Sequence, residues 1–152
     1  MSGPHHVEIL RRLPVPIGEL FRWWTEADLL EEWMSPVGTV EAETDLRVGG
    51  ALRIVMKSGD TVIEHVGQYL EIERPTRLVF TWQSPYTGPQ PSIVTVELQP
   101  DGDGATNLRL VHSELPESAA ASHRDGWGSM LDRLAGHVLE PGGARRTRSD
   151  AS

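Results

Sequence analysis

After Pro36 the chain switches to a pattern of period two that turn signals interrupt at short intervals. Apolar and polar residues alternate in six runs, at about 38–44, 51–57, 61–73, 76–82, 92–99 and 105–113, as expected of strands with one buried face. The separators are Gly49-Gly50, Ser58-Gly59-Asp60, Arg74-Pro75, Thr87-Gly88-Pro89 and Asp101-Gly102-Asp103-Gly104, all residue types that favour turns. Gaps this short cannot hold the crossover that a parallel pair needs, so the runs must form an antiparallel meander.

The flanking segments decide what covers that sheet. Val7 to Leu13 reads as a first strand, ended by Pro14 and Pro16, which cannot donate to a ladder. Ile17, Leu20, Phe21 and Trp24 recur at helical spacing on one face of a short helix. Thr25 followed by Asp28 resembles a capping box, which predicts a second short helix presenting Leu29, Leu30 and Trp33. From about 116 to 140 a long helix is expected. Pro116 suits its first turn, Trp127, Met130, Leu131, Leu134 and Val138 form an apolar stripe, and Pro141-Gly142-Gly143 ends it. A sheet with one apolar face and a single amphipathic helix bury those surfaces most economically against each other. The expected class is α+β: a curved antiparallel sheet of six to seven strands wrapped around the C-terminal helix, with two short helices after the first strand. One domain covers residues 7–140, between a flexible N-terminus at 1–6 and a disordered basic tail at 141–152.

Composition removes several classes of function. A chain of 152 residues buries roughly 70% of its unfolded surface, enough for one core. With no cysteine it has no disulfide, no thiolate nucleophile and no cysteine metal site. Its net charge is −8, and the tail holds Arg145, Arg146, Arg148 and Asp150 for a net +2, so the remainder carries −10. Such a body repels nucleic acid and anionic membranes. No run approaches the ~20 apolar residues of a membrane span, and the N-terminus lacks a secretory pattern, so no membrane insertion and a cytoplasmic location are expected.

Several short motifs occur in a telling order: Trp33-Met34-Ser35-Pro36, Asp45-Leu46-Arg47-Val48-Gly49-Gly50, Pro75-Thr76-Arg77-Leu78-Val79-Phe80-Thr81-Trp82, Leu110-Val111-His112, Gly126-Trp127 and Leu131-Asp132-Arg133-Leu134. Together, over about residues 7 to 140, they resemble the activator-of-heat-shock-protein-90-ATPase homologue (AHSA-type) branch of the START-like, or SRPBCC, superfamily. The resemblance implies a helix-grip fold around an internal cavity. It does not select a function, because the superfamily includes lipid carriers, polyketide cyclases, hormone receptors and chaperone activators.

Strand alternation nominates the residues that would line such a cavity. Leu52, Ile54 and Met56 share one side of their strand, as do Leu78, Phe80 and Trp82, then Val94, Val96 and Leu98, then Leu108, Leu110 and His112. Trp82 and Trp127 combine a large apolar ring with a polar edge that needs a partner. Gly126 and Gly128 bracket Trp127 in a helix where each costs about 1 kcal/mol relative to alanine, so a close approach of sheet backbone or ligand is expected there. Gly67 marks a place for a bulge. Strict alternation puts Val62, Glu64, Val66, Gln68, Leu70 and Ile72 on one face; with that face inward, Glu64 and Gln68 would orient a ligand, whereas a bulge at Gly67 would expose Glu64.

His112 continues an inward register, either as a proton-transfer group or as a structural histidine with both ring nitrogens satisfied. Ser113 points to the opposite strand face, and His5, His6, His112 and His123 lack chelating spacing. No catalytic residue, metal site or cofactor is therefore assigned. The leading reading is binding of a small, largely apolar or amphipathic molecule. Leu52, Ile54, Met56, Phe80, Trp82, Trp127 and Met130 would make apolar contact, and His112, Glu64 and Gln68 would orient a polar group. Two alternatives stay open: a cyclase-like or proton-transfer enzyme using His112, and the chaperone-ATPase partner that the family resemblance implies. The sequence does not fix the ligand or the oligomeric state.

Overall fold

The computed structural model describes residues 5–35, 37–87 and 89–139, so the basic tail and residues 1–4 lie outside the described residues. The order of elements is β1 (His5–Leu13), α1 (Ile17–Thr25), α2 (Ala27–Trp33), β2 (Thr39–Thr44), β3 (Ala51–Ser58), β4 (Thr61–Glu73), β5 (Arg77–Trp82), β6 (Ser92–Pro100), β7 (Thr106–Leu115) and α3 (Glu117–Leu139). One antiparallel sheet holds all seven strands in the order β1-β7-β6-β5-β4-β3-β2. β2 to β7 follow one another as hairpins, and β1 pairs with β7, so the meander closes back on the start of the chain. This is the helix-grip arrangement that the alternating runs and the long helix imply. No helix among the described residues is long and apolar enough to cross a membrane.

The inner face of the sheet carries the core. Ile54, Leu78, Phe80, Val94, Val96, Leu108 and Leu110 are buried in one cluster with Trp127, Met130, Leu131 and Leu134 of α3. The first two helices close one end, with Leu20, Phe21 and Trp24 of α1 and Leu30 and Trp33 of α2 turned into the same cluster. Thr25 does not cap α2 as the sequence suggests. Its hydroxyl donates back to the Phe21 carbonyl at 2.9 Å, and Glu26 occupies the N-cap without a side-chain bond. A hydroxyl in the last turn of a helix can donate to the carbonyl four residues back, which holds its oxygen to that helix and away from the N–H groups of the next.

Polar ties hold α3 in place. Arg11 of β1 pairs with Asp132 at 2.8 Å, and the Arg133 guanidinium donates to the Ser35 carbonyl at 2.5 Å. On the outer face five residues of alternating charge cross five adjacent strands. Glu8 of β1 meets Arg109 of β7 at 2.6 Å, Arg109 meets Glu97 of β6 at 2.8 Å, Glu97 meets Arg77 of β5 at 2.5 Å, and Arg77 meets Glu71 of β4 at 2.9 Å. Exposed pairs contribute little stability individually. A ladder in which every neighbour has the opposite sign nonetheless penalises any slip that would align like charges.

β4 departs from strict alternation. Tyr69 lies opposite Phe80 but Glu71 lies opposite Val79, so the register shifts by one residue around Leu70. The result is a β-bulge three residues beyond the glycine at which the sequence suggests one. Gly67 serves a different purpose. A Cβ there would fall 1.9 Å from the Thr81 carbonyl oxygen, and the Gln68 amide donates to the Thr81 hydroxyl at 2.9 Å. The glycine lets β4 press against β5.

Gly67→Ala is therefore expected to lower stability by about 2 kcal/mol or more, because backbone and not a flexible side chain must move. Gly136→Ala, in α3 with open space around its would-be Cβ, should raise stability by about 1 kcal/mol through helix propensity. Urea unfolding of both variants checks the pair; a Gly67→Ala protein as stable as the wild type would contradict the assignment of Gly67.

Candidate functional site

The interior between α3 and the sheet is aromatic. Trp127 lies 5.7 Å from Trp82 and 6.0 Å from Trp24, measured between ring centroids, and Trp24 meets Trp33 edge-on at 4.7 Å. Trp82 stacks on His65 at 4.6 Å and lies 6.0 Å from Phe80, which in turn contacts Tyr69 at 6.2 Å. All these rings are buried. Their order follows from alternation, since Phe80 and Trp82 are two apart on β5 and His65 and Tyr69 are four apart on β4.

A directional hydrogen-bond chain crosses this cluster. The Trp127 indole N–H donates to His112 Nδ1 at 2.9 Å. An indole nitrogen can only donate, so His112 must keep its lone pair on Nδ1 and its proton on Nε2. That Nε2–H then donates to the Ser92 hydroxyl at 2.7 Å, and the Ser92 hydroxyl donates to the Trp82 carbonyl. Every polar atom of the chain has its partner. Burial, together with the neighbouring His123 and His65, pushes the His112 pKa down to about 3. Protonation would also set an N–H against the Trp127 N–H. His112 is thus the structural alternative of the two open in the sequence, with no nitrogen free for a substrate proton.

Three other buried atoms have no partner among the described residues: Trp24 Nε1, His65 Nδ1 and the Tyr69 hydroxyl. Desolvation lowers the His65 pKa to about 4 and raises that of Tyr69, so both stay neutral at neutral pH. An unpaired buried polar group costs about 1 to 3 kcal/mol. Three such groups around one aromatic cluster are unusual for a filled core.

The inner face is also incompletely covered at one end. Met56 and Ile63 occupy facing positions of the β3–β4 hairpin, and both are only half-buried, whereas Ile54 and His65 next to them are buried. On α3, Gly126 lies on the same helix face as His123 and Met130, by its spacing of three and four residues. A Cβ at Gly126 would meet no atom within 4 Å. The glycines of α3 therefore do not mark a close approach of sheet backbone, the first of the two alternatives the sequence left open, since Gly128 would only graze the Arg11 side chain at 3.9 Å. Gly126 leaves space on the inner face of the helix.

Of the residues nominated from sequence, Leu52, Ile54, Phe80, Trp82, His112, Trp127 and Met130 are brought together in the interior, and Met56 stands at its rim. Glu64 and Gln68 are not. Both are exposed on the outer face, where Glu64 pairs with Arg53. The face that points inward carries Ile63, His65, Gly67 and Tyr69. Strict alternation put Glu64 and Gln68 on one face with Val62, Val66 and Leu70, and that face is the exposed one. Ser92 was legible as the residue two before Val94 in an inward register, and His123 as the residue one turn before Trp127. A depression of about 750 Å³ on the outer face touches Leu10, Arg12, Arg77 and Arg109. Those arginines are already neutralised by Asp101, Glu71, Glu97 and Glu8, and the aromatic cluster lies on the other side of the sheet, so this groove is not the candidate site.

Residues 14–138 match the protein family described as "Activator of Hsp90 ATPase homolog 1-like protein". Among solved structures, the AHSA1 protein of Silicibacter pomeroyi is 26% identical, with 89% of this chain and 98% of that chain covered at a TM-score of 0.76. CalU16 of Micromonospora echinospora is 27% identical, with 92% and 79% covered at a TM-score of 0.69. A protein of Nitrosomonas europaea, 24% identical with 92% and 97% covered at a TM-score of 0.76, shares the fold. No curated protein matches the chain.

The low pKa values of His112 and His65 set a direction for acid stability. An unfolded histidine titrates near 6.5. Between that value and about 3 for His112, or about 4 for His65, the unfolded chain binds more protons than the folded one. The stability they contribute is complete above pH 6.5 and is lost as the pH falls, at up to about 1.4 kcal/mol per pH unit for each histidine. His112→Gln, which cannot titrate, should lower Tm at pH 7.5 yet flatten its decline between pH 6.5 and 5. A variant as acid-sensitive as the wild type would contradict the neutral, doubly bonded His112.

Proposed function

We propose that this chain, which belongs to the Activator of Hsp90 ATPase homolog 1-like family, binds a small, largely apolar molecule between α3 and the inner face of its sheet. Family and fold are consistent with a domain that binds hydrophobic ligands. The observation that carries the reading is the set of three buried, unpaired polar atoms, Trp24 Nε1, His65 Nδ1 and the Tyr69 hydroxyl, within one contiguous aromatic cluster. A core selected for stability alone would satisfy or remove them. A ligand with apolar bulk and a few oxygen atoms does both, by stacking on the rings and pairing with the orphaned groups. Entry is supported at the β3–β4 hairpin, where Met56 and Ile63 are half-buried, and the open space beside Gly126 on α3 offers room for the molecule.

The geometry argues against proton transfer at His112. A general base needs a lone pair within reach of the substrate proton, and the only lone pair of His112 is taken by Trp127. Carriage or sensing of the ligand fits this arrangement better than turnover does.

The test fills the space at Gly126. The wild type should bind the apolar fluorophore 1-anilinonaphthalene-8-sulfonate saturably, and Gly126→Leu should weaken that binding at least about tenfold, or 1.4 kcal/mol, without lowering Tm. Native mass spectrometry of protein purified from its own host should then show a retained small molecule in the wild type and less of it in the variant. Unchanged fluorophore affinity in Gly126→Leu would move the site elsewhere.

A further inference from the structure

His123 is the one histidine of the interior cluster whose lone pair faces outward from a hydrogen bond. Its Nδ1 lies 2.8 Å from the Ala119 carbonyl oxygen. A carbonyl can only accept, so Nδ1 carries the proton and the lone pair resides on Nε2. That nitrogen makes no hydrogen bond among the described residues, and the residue is half-buried. The ring is held edge-on to His112, with centroids 5.0 Å apart, one helical turn before Trp127. His112 has both nitrogens occupied and His65 lies deeper in the interior, which leaves the half-buried His123 as the acceptor at the rim of the aromatic cluster.

What such a rim selects follows from its chemistry. A lone imidazole acceptor beside stacked indoles is matched by an acidic hydroxyl, which donates to it and, if acidic enough, transfers its proton to form a charge-assisted pair. A pure hydrocarbon leaves it unsatisfied. Contiguous flat rings at Trp24, Trp127, Trp82 and His65 favour a planar partner in offset stacking over a flexible aliphatic chain. Deeper in, the unpaired Trp24 N–H calls for an acceptor.

Resting on the reading above, we propose that the molecule held between α3 and the sheet is a small planar aromatic phenol or carboxylic acid: its ring system packs against Trp82 and Trp127, and its acidic O–H is met by Nε2 of His123. The requirement for an acidic edge group distinguishes this from a site for fatty acyl chains or neutral hydrocarbons.

Two size-matched probes test it by isothermal titration calorimetry: 2-naphthol, which donates from its hydroxyl, and 2-methoxynaphthalene, which cannot. The wild type should prefer the naphthol by roughly tenfold, the worth of one buried hydrogen bond. His123→Ala should abolish that preference with little change in Tm, and His123→Gln, which restores an acceptor, should return part of it. Equal affinity for the two probes in the wild type, or a preference that survives His123→Ala, would overturn the proposal and leave the apolar site standing. Failure of both naphthalenes on a protein that still takes 1-anilinonaphthalene-8-sulfonate would also sink the proposal alone. Failure of that fluorophore as well would remove the site together with it.

Discussion

The hydrogen-bond chain from Trp127 through His112 and Ser92 to the Trp82 carbonyl joins α3 to β7, β6 and β5 across the middle of the protein. Apolar packing brings the helix to the sheet, but dispersion and hydrophobic burial are nearly indifferent to a small rotation or slide of the helix. A buried donor that must find one acceptor is not indifferent. Losing any link leaves its neighbour unpaired in a low-dielectric interior, at about 1 to 3 kcal/mol per group. The chain therefore selects one rotation of α3 among several that would bury similar area, and that rotation puts His123, Gly126 and Met130 along the inner face.

The two faces of the sheet are specified by different physics. Inside, large rings and aliphatic side chains must interlock, and the polar atoms present are either fully satisfied, as at His112, or left without partners, as at Trp24, His65 and Tyr69. Outside, the Glu8-Arg109-Glu97-Arg77-Glu71 ladder pairs opposite charges strand by strand in water. Its energetic weight is small, because solvent and salt screen exposed pairs. Its value is in register, since sliding any one strand by two residues replaces attraction with mismatch while the buried face would still present apolar side chains.

If the interior binds a ligand as proposed, stability and binding pull against each other there. A glycine in mid-helix and unpaired indole, imidazole and phenol groups in the interior each weaken the protein without its ligand. Such concentrations of locally unfavourable choices are expected where function, and not folding, sets the residue. Around them the closed meander, the α1 and α2 plug at one end and the Arg133 and Arg11 ties of α3 hold the scaffold rigid.

Much of this was legible in the sequence because it depends on local periodicity. Period-two runs and their turn residues located every strand, and helical spacing located α1 and the apolar stripe of α3, since side-chain direction along one element follows from backbone geometry alone. The inward set Leu52, Ile54, Phe80, Trp82, His112, Trp127 and Met130 came from the same rule. Tertiary structure alone decided three further points. On β4 both faces carry apolar residues, and pairing with β3 and β5, not composition, turned His65 and Tyr69 inward and Glu64 and Gln68 outward. The bulge at Leu70 then returned Ile72 to the core. The role of His112 depended on a donor fifteen residues away on another element, and the open space at Gly126 on what the sheet does not place opposite it. Alternation fixes which residues share a face, whereas which face is buried, and what meets each polar atom there, is set by contacts between segments distant in the chain.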